Sequence, residues 1–254
     1  MKAMILAAGL GTRLRPLTDD RPKALVTIAG RTLLEIALSR LRSFGIREVI
    51  VNVHHFAQMI VDYLGANGNF GMRIEVSRED SLLDTGGGLI KAAWFFLENN
   101  HDSPGSFLVH NVDVLSTIDL PRMIKFHEEH EALATLAVQE RETSRYLLFD
   151  ELDHLCGRLA GRDSKAEHIR PAARVQRLAF SGIHVLSPRI FAKIHREGAF
   201  SIVDAYLRLA AQGVNILAFR ADGAYWRDLG RPDNLIDAER DLAAGLIRQT
   251  NFAS

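Results

Sequence analysis

A chain of 254 residues, 47% hydrophobic and 24% charged, has room for one large α/β domain or two small ones. Its formal net charge of +0 excludes a global field that would draw it to nucleic acid or an anionic membrane surface. The single cysteine, Cys156, excludes an intramolecular disulfide framework and a cysteine-rich metal site.

The chain opens with Lys2-Ala3-Met4-Ile5-Leu6-Ala7-Ala8, which reads as a buried strand. Gly9-Leu10-Gly11-Thr12-Arg13-Leu14-Arg15-Pro16-Leu17-Thr18 follows at once, and then Arg21-Pro22-Lys23-Ala24-Leu25. Met1-Lys2 leads straight into the strand and the apolar run is too short to span a bilayer, so the expectation is a soluble, cytoplasmic protein with no membrane partner. A strand that ends in a glycine turn lets backbone N–H groups approach an anion, and Arg15 and Lys23 add positive charge there. A P-loop is excluded because Gly11 is followed by Thr12-Arg13, and a dinucleotide fingerprint because Leu14 stands where a third glycine is required. Taken alone, the Gly-x-Gly reads equally well as a plain strand-to-loop turn.

Beyond this loop the pattern alternates. Leu33 to Phe44 has helical spacing and ends at Gly45, and Glu48 to Val53 is a β-branched run typical of a buried strand. Ala57 to Leu64 reads as a helix, Met72 to Ser77 as a strand, Gly87 to Leu97 as a helix, and Ser106 to His110 as a strand. Leu120 to His130 then reads as a helix and Ala134 to Gln139 as a strand. This order predicts an α/β protein with a mostly parallel sheet and helices on both faces, its ligands at the carboxyl ends of the strands. The second half differs: Arg145 to Asp150, Leu155 to Leu159 and Leu178 to Val185 read as strands with no long helices between them. Gly161 to Arg174 reads as a polar, basic loop. Ile202 to Ala211 is a predicted helix, Asn215 to Phe219 a strand, and about Asn234 to Leu246 a last helix.

Three further features bear on chemistry. Asp113 follows an apolar strand and Asp228 lies in Trp226-Arg227-Asp228-Leu229-Gly230. Two carboxylates completed by substrate phosphates form the usual hard-oxygen site for Mg²⁺, although each alone reads more readily as a turn residue. Gly86-Gly87-Gly88 stand at the mouth of a predicted helix, where their small size leaves room for a flat ring against the backbone. Mere capping would not use three glycines, since each costs about 1 kcal/mol relative to alanine inside a helix. The remaining candidates read as structural. His54-His55 lacks metal-ligand spacing and reads as loop, His110 as a satisfied strand histidine, Trp226 as packing, and Cys156 has no activating partner.

Leu6 to Thr18 together with Arg21 to Leu25 resembles the signature of the sugar-1-phosphate nucleotidyltransferases. The resemblance continues through Thr85-Gly86-Gly87-Gly88, Asn111-Val112-Asp113, Phe180-Ser181-Gly182-Ile183-His184-Val185 and Trp226 to Gly230, and is strongest to the short bacterial members. It implies a Rossmann-like, mostly parallel sheet flanked by helices, with a smaller C-terminal sugar-binding lobe. One domain would span 1–254, with nucleotide bound by about 1–140 and sugar and metal completed by about 141–254. It implies that Ala8, Gly9, Gly11, Thr12 and Arg13 surround the phosphates, that Arg15 and Lys23 are catalytic, and that Gly86, Gly87, Gly88 and Asn111 hold the nucleotide. Ser181 and Gly182 would line the sugar pocket, and Asp113 and Asp228 would hold Mg²⁺. The implied substrates are a nucleoside triphosphate and a sugar-1-phosphate, UTP with N-acetylmuramate-1-phosphate in the first instance. The alternatives are GTP with mannose- or heptose-1-phosphate, or a non-catalytic homologue that binds nucleotide sugars. The implied assembly is a monomer or small homo-oligomer. Two departures stand out. Val112 replaces the glycine usual before the metal aspartate. Leu159-Ala160-Gly161-Arg162 occupies the place of a Glu-Lys-Pro, which leaves Lys165, Arg162 and Arg170 as candidates to grip the sugar phosphate.

Overall fold

The computed structural model describes residues 1–98, 105–161 and 165–247. The alternation read from the sequence becomes, in chain order, β1 (Lys2–Leu6), β2 (Thr27–Ile28), β3 (Arg31–Thr32), α1 (Leu33–Ser43), β4 (Glu48–Val53), α2 (Ala57–Ala66) and β5 (Arg73–Arg78). Next come α3 (Asp84–Lys91), α4 (Ala93–Leu97), β6 (Phe107–Asn111), β7 (Val114–Ser116), α5 (Leu120–Glu129) and β8 (Ala134–Gln139). The second half adds β9 (Arg145–Phe149), β10 (Leu155–Ala160), β11 (Glu167–His168), β12 (Gln176–Leu186), α6 (Ile202–Ala211), β13 (Ile216–Arg220), β14 (Trp226–Asp228) and α7 (Pro232–Ala243). Side-chain caps account for several helix starts. Thr32 Oγ1 accepts from Glu35 N at 3.0 Å and Asp119 Oδ1 from Arg122 N at 3.0 Å, each satisfying an N–H the helix cannot.

Strands β6, β1, β4 and β5 lie side by side and all parallel, as a β-α-β series with buried β-branched strands requires. The chain steps from β1 outward to β4 and β5, then returns to place β6 on the other flank of β1. This reversal opens a crevice at the carboxyl ends of β1 and β6. The loop after β1 carries the glycines, and the loop after β6 carries Asp113.

The second half continues the sheet in antiparallel fashion. Strand β12, 11 residues long, pairs with β9 along its first half, with β6 along its second, and with β8 from Ala179 to Leu186 across a bulge. Strands β9, β10 and β11 extend the edge, so a single 10-stranded sheet runs through both halves of the chain. Two layers of apolar side chains cover it. One joins α1, α2, α5 and α7 to the sheet through residues such as Leu34, Leu38, Val49 and Val51. The other joins α3, α4 and α6 to the opposite face through Phe95, Phe107, Leu136 and Tyr206. Each Leu, Ile or Phe fully buried this way contributes roughly 1.5–3 kcal/mol.

Two predicted segments differ. The helix expected over 87–97 begins at Asp84 and is broken at Ala92 into α3 and α4. The segment expected to be loop over 161–174 contains β11, whose Glu167 and His168 pair with Arg158 and Gly157.

Candidate active site

Two short strands bring distant parts of the chain together. Strand β7, directly after Asp113, pairs antiparallel with β14 in the register Asp228↔Val114 and Arg227↔Leu115. Leu229 N donates to Asp113 O at 2.8 Å. The ribbon therefore sets the Asp113 and Asp228 carboxylates beside each other.

Lys23, fixed by the 3₁₀ turn Lys23–Leu25, makes an ion pair with Asp113 in which both side chains are nearly buried. Arg13 reaches the same place, with Nη1 3.8 Å from Asp228 Oδ2. A methyl group on Gly230 would lie 2.7 Å from both Arg13 Nη2 and Asp228 Oδ1 and 3.2 Å from Lys23 Nζ, so this glycine is what lets the four charges converge. Burial and the neighbouring Asp113 charge push the Asp228 carboxyl above the usual carboxylate range. Burial pushes Asp113 the same way, but the Lys23 ammonium outweighs it and holds this carboxyl below its ordinary value.

The loop after β1 is anchored from below. Ala7 N donates to Asn52 Oδ1 at 2.7 Å, Asn52 Nδ2 to Glu79 Oε1 at 2.7 Å, and Leu83 N to Glu79 Oε2 at 3.0 Å. This buried chain ties the ends of β1, β4 and β5 together. Asn52 and Glu79 escaped the sequence reading, yet the signal was present: an amide in the apolar run Val49-Ile50-Val51-Asn52-Val53 must find a partner once buried. Gly11 adopts φ 67° at the start of the next turn, where a side chain would press on Thr18 Cγ2 at 3.0 Å. Nothing lies within 4 Å of the position a Gly9 side chain would take, so the backbone there is open to a ligand.

Two cavities flank this centre. One, of about 460 Å³, is bounded by Ala8, Gly9, Lys23, Asn52, Asp84 and Thr85. The other, of about 890 Å³ and lined largely by polar residues, is bounded by Arg13, Arg141, Arg158, Ser181, Gly182 and Asp228. Both reach Asn111 and Asp113. Gly182, at φ 72° in a β12 bulge, lets the Asn111 side chain lie against it, since a Cβ there would sit 2.8 Å from Asn111 Nδ2.

The structure thus brings together Ala8, Gly9, Arg13, Lys23, Asn111, Asp113, Ser181, Gly182 and Asp228. Thr12 is exposed in the turn and borders neither cavity. Arg15 also stands apart: its side chain is 68% exposed, its Nε lies 3.3 Å from Asp19 Oδ1, and it borders neither cavity. Gly86, Gly87 and Gly88 sit within α3, buried, not at an open helix mouth. The room they leave is filled by the chain itself: a side chain on Gly86 would overlap the Phe200 ring, one on Gly87 the Gly198 carbonyl, and one on Gly88 would lie 2.7 Å from Glu79 Oε1. Asp84 and Thr85, at the start of α3, face the smaller cavity in their stead.

Val112 is 5% exposed and packs into the core, where its N–H donates to Leu6 O at 3.1 Å. Lys165 and Arg170 border neither of these cavities, and Arg162 lies outside the described residues. His54 Nδ1 is 2.8 Å from Glu79 O, which makes it a strut of the loop. His110 is only half satisfied, with Nδ1 2.7 Å from Asn111 O and a buried Nε2 without a partner among the described residues. Trp226 donates from Nε1 to Ser181 O at 2.8 Å, and Cys156 is buried as a free thiol.

A crevice at the carboxyl ends of parallel strands, with a glycine loop on one side and a lysine, an arginine and two carboxylates at its centre, is built to handle phosphoryl groups. The chain belongs to the nucleotidyl transferase family, whose model matches residues 2–245, and it is a nucleotidyltransferase. It is 33% identical over 250 residues to N-acetylmuramate alpha-1-phosphate uridylyltransferase of Caulobacter vibrioides, covering 95% of this chain and 96% of that protein. It is 29% identical over 248 residues to mannose-1-phosphate guanylyltransferase of Mycobacterium tuberculosis, covering 96% of this chain but 65% of that protein. The crystal structure of HddC from Yersinia pseudotuberculosis in complex with GMP-PN shares the fold, with a TM-score of 0.74 at 23% identity over 94% of this chain and 98% of that one. Among the described residues no helix is long and apolar enough to cross a membrane.

Proposed function

We propose that this enzyme joins a nucleoside triphosphate to a sugar-1-phosphate, releasing pyrophosphate and a nucleotide sugar. The observation that carries the reading is the meeting of the two cavities at Asn111 and Asp113, beside Lys23, Arg13 and Asp228. The smaller cavity takes the nucleotide, with its phosphates over the open backbone at Gly9. The larger takes the sugar phosphate. An oxygen of the sugar phosphate attacks the α-phosphorus, the bond to the β-phosphate bridging oxygen breaks, and pyrophosphate leaves. The nucleophile is already an anion at neutral pH, so the protein needs neither a covalent intermediate nor a base. Its task is to align two polyanions and offset the charge that develops. Lys23 and Arg13 supply that positive charge.

The donor set fits Mg²⁺. Asp113 and Asp228 are hard oxygen donors placed side by side, the kind of donor pair that Mg²⁺ takes. Among the described residues no third His, Cys, Asp or Glu joins them, which leaves the other positions to phosphate oxygens and water. Mg²⁺ held there would neutralise phosphate charge and polarise the α-phosphoryl group.

UTP and N-acetylmuramate-1-phosphate are the favoured pair, because the uridylyltransferase relative matches this chain over 96% of its own length. GTP with a mannose-type phosphate is the second reading, supported by the guanylyltransferase relative. A triphosphate-consuming reaction of this kind fits the cytoplasm and the supply of cell-wall sugars. The test is pyrophosphate release over a grid of UTP, GTP, CTP, ATP and dTTP against a panel of sugar-1-phosphates with Mg²⁺. Turnover with UTP and N-acetylmuramate-1-phosphate is expected. A GTP and mannose- or heptose-1-phosphate signal would move the enzyme to the second reading, and silence across the grid would overturn both.

A further inference from the structure

Five arginines bound the larger cavity, and two of them are already paired. Arg158 pairs with Glu167 and Asp204, each at 2.6 Å, and Arg13 leans on Asp228. Arg145 and Arg231 are exposed and form no ion pair among the described residues. Arg141 is different. It follows β8 and turns inward. Its guanidinium lies over the Trp226 indole, 3.5 Å from the ring centroid, and its Nη2 donates to Phe180 O at 2.9 Å. The indole is itself fixed by its bond to Ser181 O. Arg141 Nε is buried with no hydrogen-bond partner, and no carboxylate forms an ion pair with this side chain among the described residues. The guanidinium is thus clamped on one face and one edge, partly desolvated, and short of a counter-anion.

A partly desolvated guanidinium with no ion-paired carboxylate is costly, and an anion arriving at the part of Arg141 that faces the cavity offsets that cost. Burial lowers the tendency of Arg141 to stay charged, and nearby Asp228 only partly restores it. We propose that Arg141 is the anchor for the phosphate of the sugar-1-phosphate, a role for which no lysine lines the larger cavity among the described residues. The proposal rests on the reaction assigned above and adds the residue that recognises its second substrate. The fork of the guanidinium suits a phosphate, which can accept from two N–H groups at once, and its planar stack on Trp226 fixes the direction from which that phosphate must arrive. Arg141 therefore orients the attacking oxygen toward the Asp113 side of the cavity.

Trp226 beneath the guanidinium supplies a reporter. In a Trp94→Phe background it is the sole tryptophan. The full-length protein, with Mg²⁺ and a non-hydrolysable UTP analogue, is titrated with N-acetylmuramate-1-phosphate, with mannose-1-phosphate, and with the corresponding free sugars. Trp226 fluorescence is expected to respond to at least one phosphate and to neither free sugar. Arg141→Gln should weaken that binding by about 10–100-fold, as expected for loss of one charged hydrogen-bonding group. It should raise the KM for sugar phosphate in the pyrophosphate assay while leaving the KM for the triphosphate unchanged, and Arg141→Lys should recover part of the loss. A wild type that turns over and binds the sugar phosphate no more than two-fold better than Arg141→Gln would overturn the anchor while leaving the reaction intact. A wild type that binds neither phosphate and releases no pyrophosphate would overturn the reaction, and the anchor with it.

Discussion

Arg13 and Arg15 are two residues apart and point to different fates. The 3₁₀ turn Thr12–Leu14 sends Leu14 into the core, returns Arg13 toward Asp228 and leaves Arg15 in solvent beside Asp19. Replacing Arg13 by alanine should lower kcat by about 10²-fold or more, the scale for losing one preorganised donor to developing charge, while Arg15→Ala should cost no more than a few-fold. Pyrophosphate-release kinetics on the two variants decide the matter, and equal losses would return Arg15 to the site. Lys23, Asp113 and Asp228 were legible from residue type and motif. The choice between two arginines was not, because it depends on the direction each side chain takes in one turn. Asp228 carries a second prediction. Its carboxyl is pushed up by burial and by Asp113, so protons compete with a cation for it at higher pH than for an ordinary carboxylate. Affinity for Mg²⁺ in the absence of substrate should therefore fall as pH is lowered from 7.5 to 5.5. Calorimetric titration at the two values would show it, and an unchanged constant would remove Asp228 from the cation site.

At the level of single elements, α3 and α2 make a paired test. In α3 the Gly87 position is closed by the Gly198 carbonyl, so Gly87→Ala should destabilise the fold by about 1–3 kcal/mol through overpacking. In α2, Gly65 is exposed, with nothing within 4 Å of the Cβ it lacks and an ordinary helical φ. Gly65→Ala should stabilise by up to about 1 kcal/mol. Urea midpoints for both variants would check the signs, and a neutral Gly87→Ala would mean that the segment around Gly198 yields easily. Most strands and helices were legible within a residue or two, since periodicity and β-branched runs report burial directly. The reason for the glycines was not, because Gly86 and Gly87 meet the segment before α6 and Gly88 meets Glu79 and Asn52, none of them read from the local sequence. The same limit applies to β12: its apolar run announces a strand, but nothing local says that it serves β6, β8 and β9 together.

For the whole molecule, the buried histidines govern behaviour in acid. Burial, with help from Arg40, holds His110 down at about 4. Burial and Arg189 do the same for His127, also to about 4, and burial and His110 take His184 to about 3. In the unfolded chain each would titrate near 6.5, so between these values the unfolded state binds more protons than the native one. Stability is then full above about pH 6.5 and declines below it, by at most about 1.4 kcal/mol per histidine for each pH unit until the native value is reached. Urea midpoints at pH 7.5, 6.0 and 5.0 should fall in that order, and a flat series would show that these histidines take up protons without unfolding. The α/β class and the site at the strand ends were evident from the order of elements. The continuous sheet was not, because strand order depends on pairings between residues remote in sequence.

The ribbon of β7 and β14 also sets the order in which the protein becomes competent during its own synthesis. Asp113 emerges from the ribosome 115 residues before Asp228 (228 − 113), and only their pairing creates the doubly acidic centre. Before residue 228 is made, Asp113 and Lys23 exist without the second carboxylate, so the doubly acidic centre is complete only once β14 pairs with β7.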